Sequence, residues 1–103
     1  MGALVCRIDL NKAGGITITV ENADAEIVQT AVLDGTSITL TCEGSDAASM
    51  ITQDAESISI KCNDFTVDAE TITLQSSRDT LHKSDMHFDI ESGGDLTLDS
   101  SAN

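Results

Sequence analysis

Three cysteines are the first residues in this chain whose side chains could do chemistry, since thiolates ligate soft metals and take part in redox reactions. Cys6, Cys42 and Cys62 lie far apart in the sequence and form no C-x-x-C pair of the kind used by zinc and redox sites. Each shares the parity of the apolar residues around it. We therefore predict small, buried apolar side chains, and metal or redox chemistry is the weaker interpretation.

Histidine occurs only twice, as His82 and His87. His87 has the parity opposite to Phe88 and Ile90, which predicts that it faces solvent. If three copies of the chain assembled about a threefold axis, their histidines could bind a metal there only if the side chains pointed inward. A metal site is thus the less favoured interpretation of this pair.

The 18 acidic residues could supply calcium ligands or a pair of catalytic carboxylates. Calcium-binding β-rolls use a G-G-x-G-x-D repeat, and neither Gly14-Gly15 nor Gly93-Gly94 continues into that pattern. The acidic residues are scattered over corners, which favours a solvated face. No P-loop, nucleophile elbow or zinc signature is present in the sequence. We predict no cofactor, no metal and no enzymatic activity.

Length and composition limit what these residues can belong to. A chain of 103 residues is long enough for one domain at most, and its net charge of −13 disfavours binding to nucleic acid or anionic lipid. With no Trp or Tyr and only two Phe, a core must consist of small aliphatic side chains, which suits a narrow interior. The odd number of cysteines, with no signal peptide and no apolar stretch of membrane-spanning length, predicts synthesis in a reducing cytoplasm.

Strict alternation of apolar and polar residues is the dominant pattern, and it predicts β-strands with one buried face and no helix. The segment Ala23–Leu33 fits either one long strand or two short ones. The stretches Gly44–Met50 and Ser76–Asp85 break the alternation and are predicted to be corners or loops. The residues predicted to point inward are Ile16, Ile18, Val20, Ile38, Leu40, Cys42, Ile58, Ile60, Cys62, Val67, Ile72, Leu74, Phe88, Ile90, Leu96 and Leu98.

A short internal repeat accompanies the alternation. Residues 54–62 read DAESISIKC, residues 68–76 read DAETITLQS and residues 34–42 read DGTSITLTC. The common unit is a polar corner followed by a short Ser/Thr-Ile-Ser/Thr-Ile/Leu strand. A unit this small cannot bury its own apolar face, so it must stack on neighbours in its own chain or in other chains.

These repeats, with the run DLNKAGGITI at residues 9–18 and SGGDLTL at residues 92–98, resemble the β-helical tails of injection spikes. Such spikes are the central spike proteins of contractile-tailed phages and the VgrG proteins of type VI secretion. The resemblance implies three chains intertwined into a triangular prism that pierces an envelope at the tip of a tube. The oligonucleotide/oligosaccharide-binding barrel and hub domains of full-length spikes are not recognisable in the sequence. His82 and His87 do not match the His-x-His pair of metal-tipped spikes.

The predicted fold class is therefore all-β, as an intertwined trimeric triple-stranded β-helix. Residues 1–12 are predicted to be a leading strand or attachment segment, and residues 13–103 the repetitive β-helix. The resemblance implies a homotrimer attached to a baseplate or hub protein, with room for a tip protein at the other end. It also implies incorporation into a virion tail or injection apparatus, and only transient contact with the target envelope.

Two other interpretations remain open from the sequence. A single-chain β-solenoid could serve as a scaffold or form a polymer. A small β-sandwich could bind carbohydrate or protein, although such modules usually present aromatic platforms that this chain lacks.

Overall fold

The computed structural model of the protein describes residues 3–101, which form two compact units, Met1–Asp68 and Ala69–Asn103. The first unit contains one antiparallel sheet whose strand order follows the chain. Its strands are β1 (Val5–Asn11), β2 (Gly15–Asn22), β3 (Ile27–Leu33), β4 (Ser37–Glu43), β5 (Ala48–Asp54) and β6 (Ile58–Lys61). The prediction of an all-β chain is confirmed, and residues 3–101 contain no helix, hence none that could cross a membrane.

Side-chain oxygens fix the turns at one end of this sheet, where β1, β3 and β5 finish. Asn11 accepts hydrogen bonds from the amides of Ala13 and Gly14 at 2.8 and 3.3 Å. Asp34 and Asp54 accept similar bonds from the turns that follow β3 and β5. Asn and Asp commonly close turns in this way, because their short side chains reach the backbone two and three residues ahead.

Gly15 begins β2 at a point where the backbone leaves no room for a side chain. Its φ of 92° lies in the left-handed region, which favours glycine. A Cβ atom at this position would lie 1.9 Å from the carbonyl oxygen of Leu33 in β3. The start of β2 therefore depends on glycine both for its conformation and for its close approach to β3.

Two parts of the first unit differ from the sequence prediction. Ala23–Leu33 is neither one long strand nor two short ones, since a turn precedes the single strand β3. Gly44–Met50 is not a loose corner throughout. A tight turn, closed by a 2.8 Å hydrogen bond from the Gly44 amide to the Ala47 carbonyl, leads directly into β5.

The second unit contains no strand in its described residues, 69–101. Backbone-to-backbone hydrogen bonds are also absent from this part of the structure. Its local contacts come from side chains, such as the 2.6 Å bond between the hydroxyls of Ser76 and Thr80. Ser92 donates to the carbonyl of Asp95 at 2.9 Å. The strands predicted around Ile72–Leu74, Phe88–Ile90 and Leu96–Leu98 are not formed within this chain, where these segments pair with no other strand.

Candidate assembly surface

The pairing register places most apolar residues of the sheet on one face, here called the apolar face. Its central row crosses all six strands, and each member lies directly opposite the next. From β1 to β6 the row consists of Ile8, Ile18, Ala31, Leu40, Ile51 and Ile60. Directly opposed side chains lie about 4.5–5.5 Å apart at Cβ, so these residues form a continuous apolar stripe.

Two further rows flank this stripe on the same face. One contains Leu10, Ile16, Leu33, Ile38, Gln53 and Ile58. The other contains Cys6, Val20, Gln29, Cys42 and Ser49. The central row thus contains no polar residue.

No part of the first unit covers the apolar face. No described residue of either unit is buried, and Leu40, at the centre of the sheet, is 47% exposed. In β4 the apolar Ile38 and Leu40 are exposed, whereas Thr39 and Thr41 of the opposite face are half-buried. This strand therefore presents its apolar side chains to solvent more than its threonines, the reverse of the arrangement in a self-contained globular domain.

The predicted inward residues fall into two groups. Those on the apolar face of the sheet are Ile16, Ile18, Val20, Ile38, Leu40, Cys42, Ile58 and Ile60. Those outside the strands are Cys62 and Val67 in the first unit, and Ile72, Leu74, Phe88, Ile90, Leu96 and Leu98 in the second. Only Val20 and Cys62 are half-buried and the others are exposed, so their burial in an assembly remains a prediction.

The cysteines are not buried within this chain, and their burial in an assembly stays a prediction. All three are free thiols, with Cys6 and Cys42 exposed and Cys62 half-buried. The reason is architectural, because a single sheet has no second layer to cover them. Cys6 and Cys42 do lie on the apolar face, which agrees with their predicted parity. In the part of the chain that the structure describes, no three His, Cys, Asp or Glu side chains form a group that could hold a metal ion.

Both histidines lie in the second unit and are exposed. The ring of His82 meets the ring of Phe88 edge to face, with centroids 6.2 Å apart and an interplanar angle of 78°. This contact is of the kind that aromatic rings favour. His82 therefore packs locally against Phe88. His87 is exposed, but so are Phe88 and Ile90 of the opposite parity, so the orientation predicted for His87 stays a prediction.

The opposite face of the sheet, here called the polar face, carries a ladder of hydroxyl groups. Thr19, Thr30 and Thr41 lie directly opposite one another on β2, β3 and β4. The one ion pair among the described residues is also on this face, where Arg7 Nη2 lies 3.0 Å from Glu21 Oε1. Both partners are substantially exposed, so the pair contributes at most about 1 kcal/mol.

Asp34 is the most strongly perturbed acidic group described. Its Oδ1 accepts hydrogen bonds from the amides of Thr36 and Ser37 at 2.9 and 2.8 Å, and from the Thr36 hydroxyl at 3.0 Å. These bonds, that of the Thr36 amide above all, lower the pKa of Asp34 from 3.8 to about 2. The side chain is fully exposed, so the lowered pKa reflects a turn closed by hydrogen bonds and gives no sign of a catalytic group.

Asp54 repeats this geometry at the β5–β6 corner. It accepts hydrogen bonds from the amides of Glu56 and Ser57 at 2.9 and 2.8 Å, and from the Ser57 hydroxyl at 3.0 Å. The Glu56 amide contributes most to lowering the pKa of Asp54. The repeat unit that begins with Asp thus has a structural meaning, which is a carboxylate that closes the corner.

The surface hollows of the sheet are shallow. One, with a volume of about 360 Å³, lies beside the Asp34 and Asp54 corners and is lined by Leu33, Gly35, Ile38 and Gln53 among others. Comparison with protein-family models, with curated proteins and with solved structures found no match to this chain. The continuous apolar face is therefore the feature on which a function can be argued.

The sequence prediction omitted several residues of this surface. Ile8, Ala31 and Ile51 complete the central row, but they were absent from the predicted inward set. Ile8 shares the parity of Cys6 and Leu10, so alternation was sufficient to find it. Ile51 has Ser49 and Gln53 as its neighbours on the same face, which hides the alternation of β5.

Proposed function

We propose that this chain is a structural component of an envelope-puncturing spike at the tip of a contractile injection apparatus or phage tail. It acts as a rigid homotrimeric β-rod and performs no catalysis. The observation that carries the proposal is the regular apolar face that no part of the first unit covers. Covering such a face is the main favourable contribution available to assembly, since apolar area removed from water contributes about 25 cal/mol per Å².

The dimensions of the sheet suit one side of a triangular prism. Strands of seven residues at about 3.4 Å per residue give a width of about 24 Å, and six strands at about 4.8 Å give a height of nearly 29 Å. An equilateral prism of that width places each sheet about 7 Å from the threefold axis. Packed sheets lie about 10 Å apart, or about 5 Å on either side of their common midplane. Aliphatic side chains such as Ile18 and Leu40 would therefore fill the interior to within about 2 Å of the axis, which leaves no room for aromatic rings.

The second unit supports assembly by a different argument. Its described residues have the alternating pattern of strands, as at Ile72–Leu74 and Leu96–Leu98, but no in-chain backbone hydrogen bonds. Backbone amides and carbonyls need hydrogen-bond partners when an assembly removes them from water. We propose that these segments pair with the same segments of other copies, as in the intertwined prism that the resemblance implies.

A spike function requires stiffness under axial load. The first unit offers five consecutive antiparallel strand pairings along the proposed axis. Hydrogen bonds of that kind resist deformation collectively, since separating two strands breaks several at once. The strongly acidic composition would keep separate rods soluble and apart. The assignment to an injection machine rests on the resemblance of the repeats, and the architecture supports only the rod.

A face-to-face pair of sheets is the second candidate, because the same open face would suit a two-layered β-sandwich. A single-chain solenoid is less well supported. Successive coils of a parallel β-helix pair their strands in parallel, whereas all five strand pairings here are antiparallel.

Light scattering and sedimentation of the full chain over a dilution series test the proposal. We expect a mass of three chains that falls only at high dilution. A mass of two chains would favour the sandwich, open-ended growth would favour a polymer, and a folded monomer at every concentration would overturn assembly altogether. The spike role is tested separately by the genes beside its own. Sheath, tube and baseplate genes are expected, and a neighbourhood without them contradicts this role.

A further inference from the structure

The two open edges of the sheet carry cations at matching positions. β1 and β6 are the edge strands, and one row on the polar face runs from one to the other. Its members, in order, are Arg7, Thr19, Thr30, Thr41, Met50 and Lys61. The row therefore begins and ends with a positive charge in a chain that has only five basic residues.

Edge strands expose unpaired amides and carbonyls, and they can pair with the edge of another molecule. Because β1 and β6 run in opposite directions, β6 of one copy could continue the antiparallel sheet into β1 of the next. The register that keeps the central apolar row unbroken sets Ile60 opposite Ile8 of the next copy. That register also sets Lys61 directly opposite Arg7 of the next copy. Like charges directly opposite each other on a sheet are destabilising.

We propose that Arg7 and Lys61 prevent copies of this chain from pairing edge to edge in the aligned register, because their positive charges would lie directly opposite each other. Copies then meet through their apolar faces, which closes an assembly instead of extending a filament. The inference deepens the proposed function, because it explains why a chain with an open apolar face and two open edges would stop at a closed rod.

The two cations have different surroundings. The 3.0 Å ion pair with Glu21 offsets part of the Arg7 charge, but the side chains of Arg7 and Glu21 are 55% and 40% exposed, so this pair is weak and Arg7 still presents a cation at the edge. Lys61 is exposed, lies opposite Met50, and makes no ion pair with any residue in the described range. The neighbouring row ends in Asp9 at one edge and Ser59 at the other. In the aligned register Ser59 lies opposite Asp9 of the next copy, so this row adds no directly opposed pair of opposite charges.

A charge-swap experiment on the full chain tests the proposal. Lys61→Glu sets a carboxylate opposite Arg7 of the next copy, which converts repulsion into attraction. The repulsion lost and the attraction gained are each worth about 0.2–1 kcal/mol, so together they should strengthen edge association by about 2- to 30-fold. Lys12→Glu is the matched control, since it makes the same change of charge in the β1–β2 turn, outside this row. Sedimentation velocity at low salt measures the species larger than the wild-type assembly.

The double variant Arg7→Glu/Lys61→Glu decides the mechanism. It restores like charges across the edge, so the larger species formed by the single variant should disappear. Circular dichroism checks that both Glu variants fold, and Lys61→Thr replaces them if either does not. Lys61→Thr removes the repulsion and adds no attraction, so its edge association should lie between that of the wild type and that expected for Lys61→Glu. The proposal is overturned if Lys61→Glu and Lys12→Glu sediment alike, or if the double variant still forms the larger species. The mass of the wild-type assembly tests the trimeric rod independently, so the rod and the edge repulsion can each be contradicted without the other.

Discussion

Replacing Leu40 by Asp is the most direct test of whether other copies cover the apolar face. Leu40 lies at the centre of β4, between Ala31 and Ile51 in the central row. In the single chain it is 47% exposed, so an Asp there would meet water and cost little. In a rod with the apolar faces turned inward, the same change would set three carboxylates close to one axis.

The size of the effect follows from the exposure of Leu40. Fully burying a leucine contributes about 1.5–3 kcal/mol, so covering the exposed 47% contributes about 0.7–1.4 kcal/mol per chain. Three chains give about 2–4 kcal/mol, which corresponds to a 30- to 1,000-fold weaker assembly before any cost of burying charge. Desolvation of the carboxylates adds to this loss.

Thr41→Asp is the matched control for this variant. Thr41 is the next residue of the same strand, lies on the polar face and receives the same added charge. Sedimentation equilibrium over a dilution series should show dissociation of the Leu40 variant at concentrations where the Thr41 variant remains assembled. Equal masses and equal shifts in melting temperature for the two variants would show that the apolar face is not an interface.

Three further predictions concern the sheet and the second unit. Gly15→Ala should destabilise the sheet by about 2 kcal/mol or more, because of its positive φ and the 1.9 Å approach to a carbonyl, whereas Gly14→Ala should change the Tm little. The pKa of Asp34, about 2 when folded, predicts stabilisation that is full above pH 4 and lost as the pH falls towards 2. In Asp34→Asn the free energy of unfolding should depend less on pH over this range, and the dependence that remains should come from Asp54 among others. Amides of residues 69–101 should exchange slowly in the assembly and rapidly after dilution dissociates it.

Each of these predictions has a result that would contradict it. Equal Tm values for the two glycine variants would mean that the backbone of Leu33 moves aside without cost. An Asp34 carboxyl that titrates near 3.8 by NMR would mean that the corner is open in solution. Rapid exchange throughout residues 69–101 in an intact trimer would mean that the second unit takes no part in strand pairing.

Alternation was sufficient to predict those strands in which one parity is uniformly apolar. It identified β1, β2, β4 and β6, where residues such as Ile16 and Ile18 alternate with polar neighbours. It failed at β5, where Ile51 is the only aliphatic residue on its face. It was ambiguous around β3, because Gln29 enters the apolar face while Val28 lies on the polar one. In such strands the pairing with neighbours on both sides decides the structure.

The sequence could not predict which residues pair within the chain. The repeats that begin at Asp54 and Asp68 are nearly identical, but only the first leads into a strand of the described structure. A local pattern specifies that a segment is suited to be a strand, and pairing depends on what lies beside it. The corner carboxylates were predictable in principle, since Asp followed by Ser or Thr two or three residues later is a common turn signal.

The absence of any buried residue in the range 3–101 has a calorimetric consequence. The heat-capacity increase on unfolding arises mainly from newly hydrated apolar surface, and it amounts to about 12–15 cal/mol/K per residue in ordinary globular proteins. A single chain that hides so little apolar surface should unfold with a much smaller increment. If the protein instead unfolds with the ordinary value, the additional heat capacity measures the apolar area that its copies cover in one another.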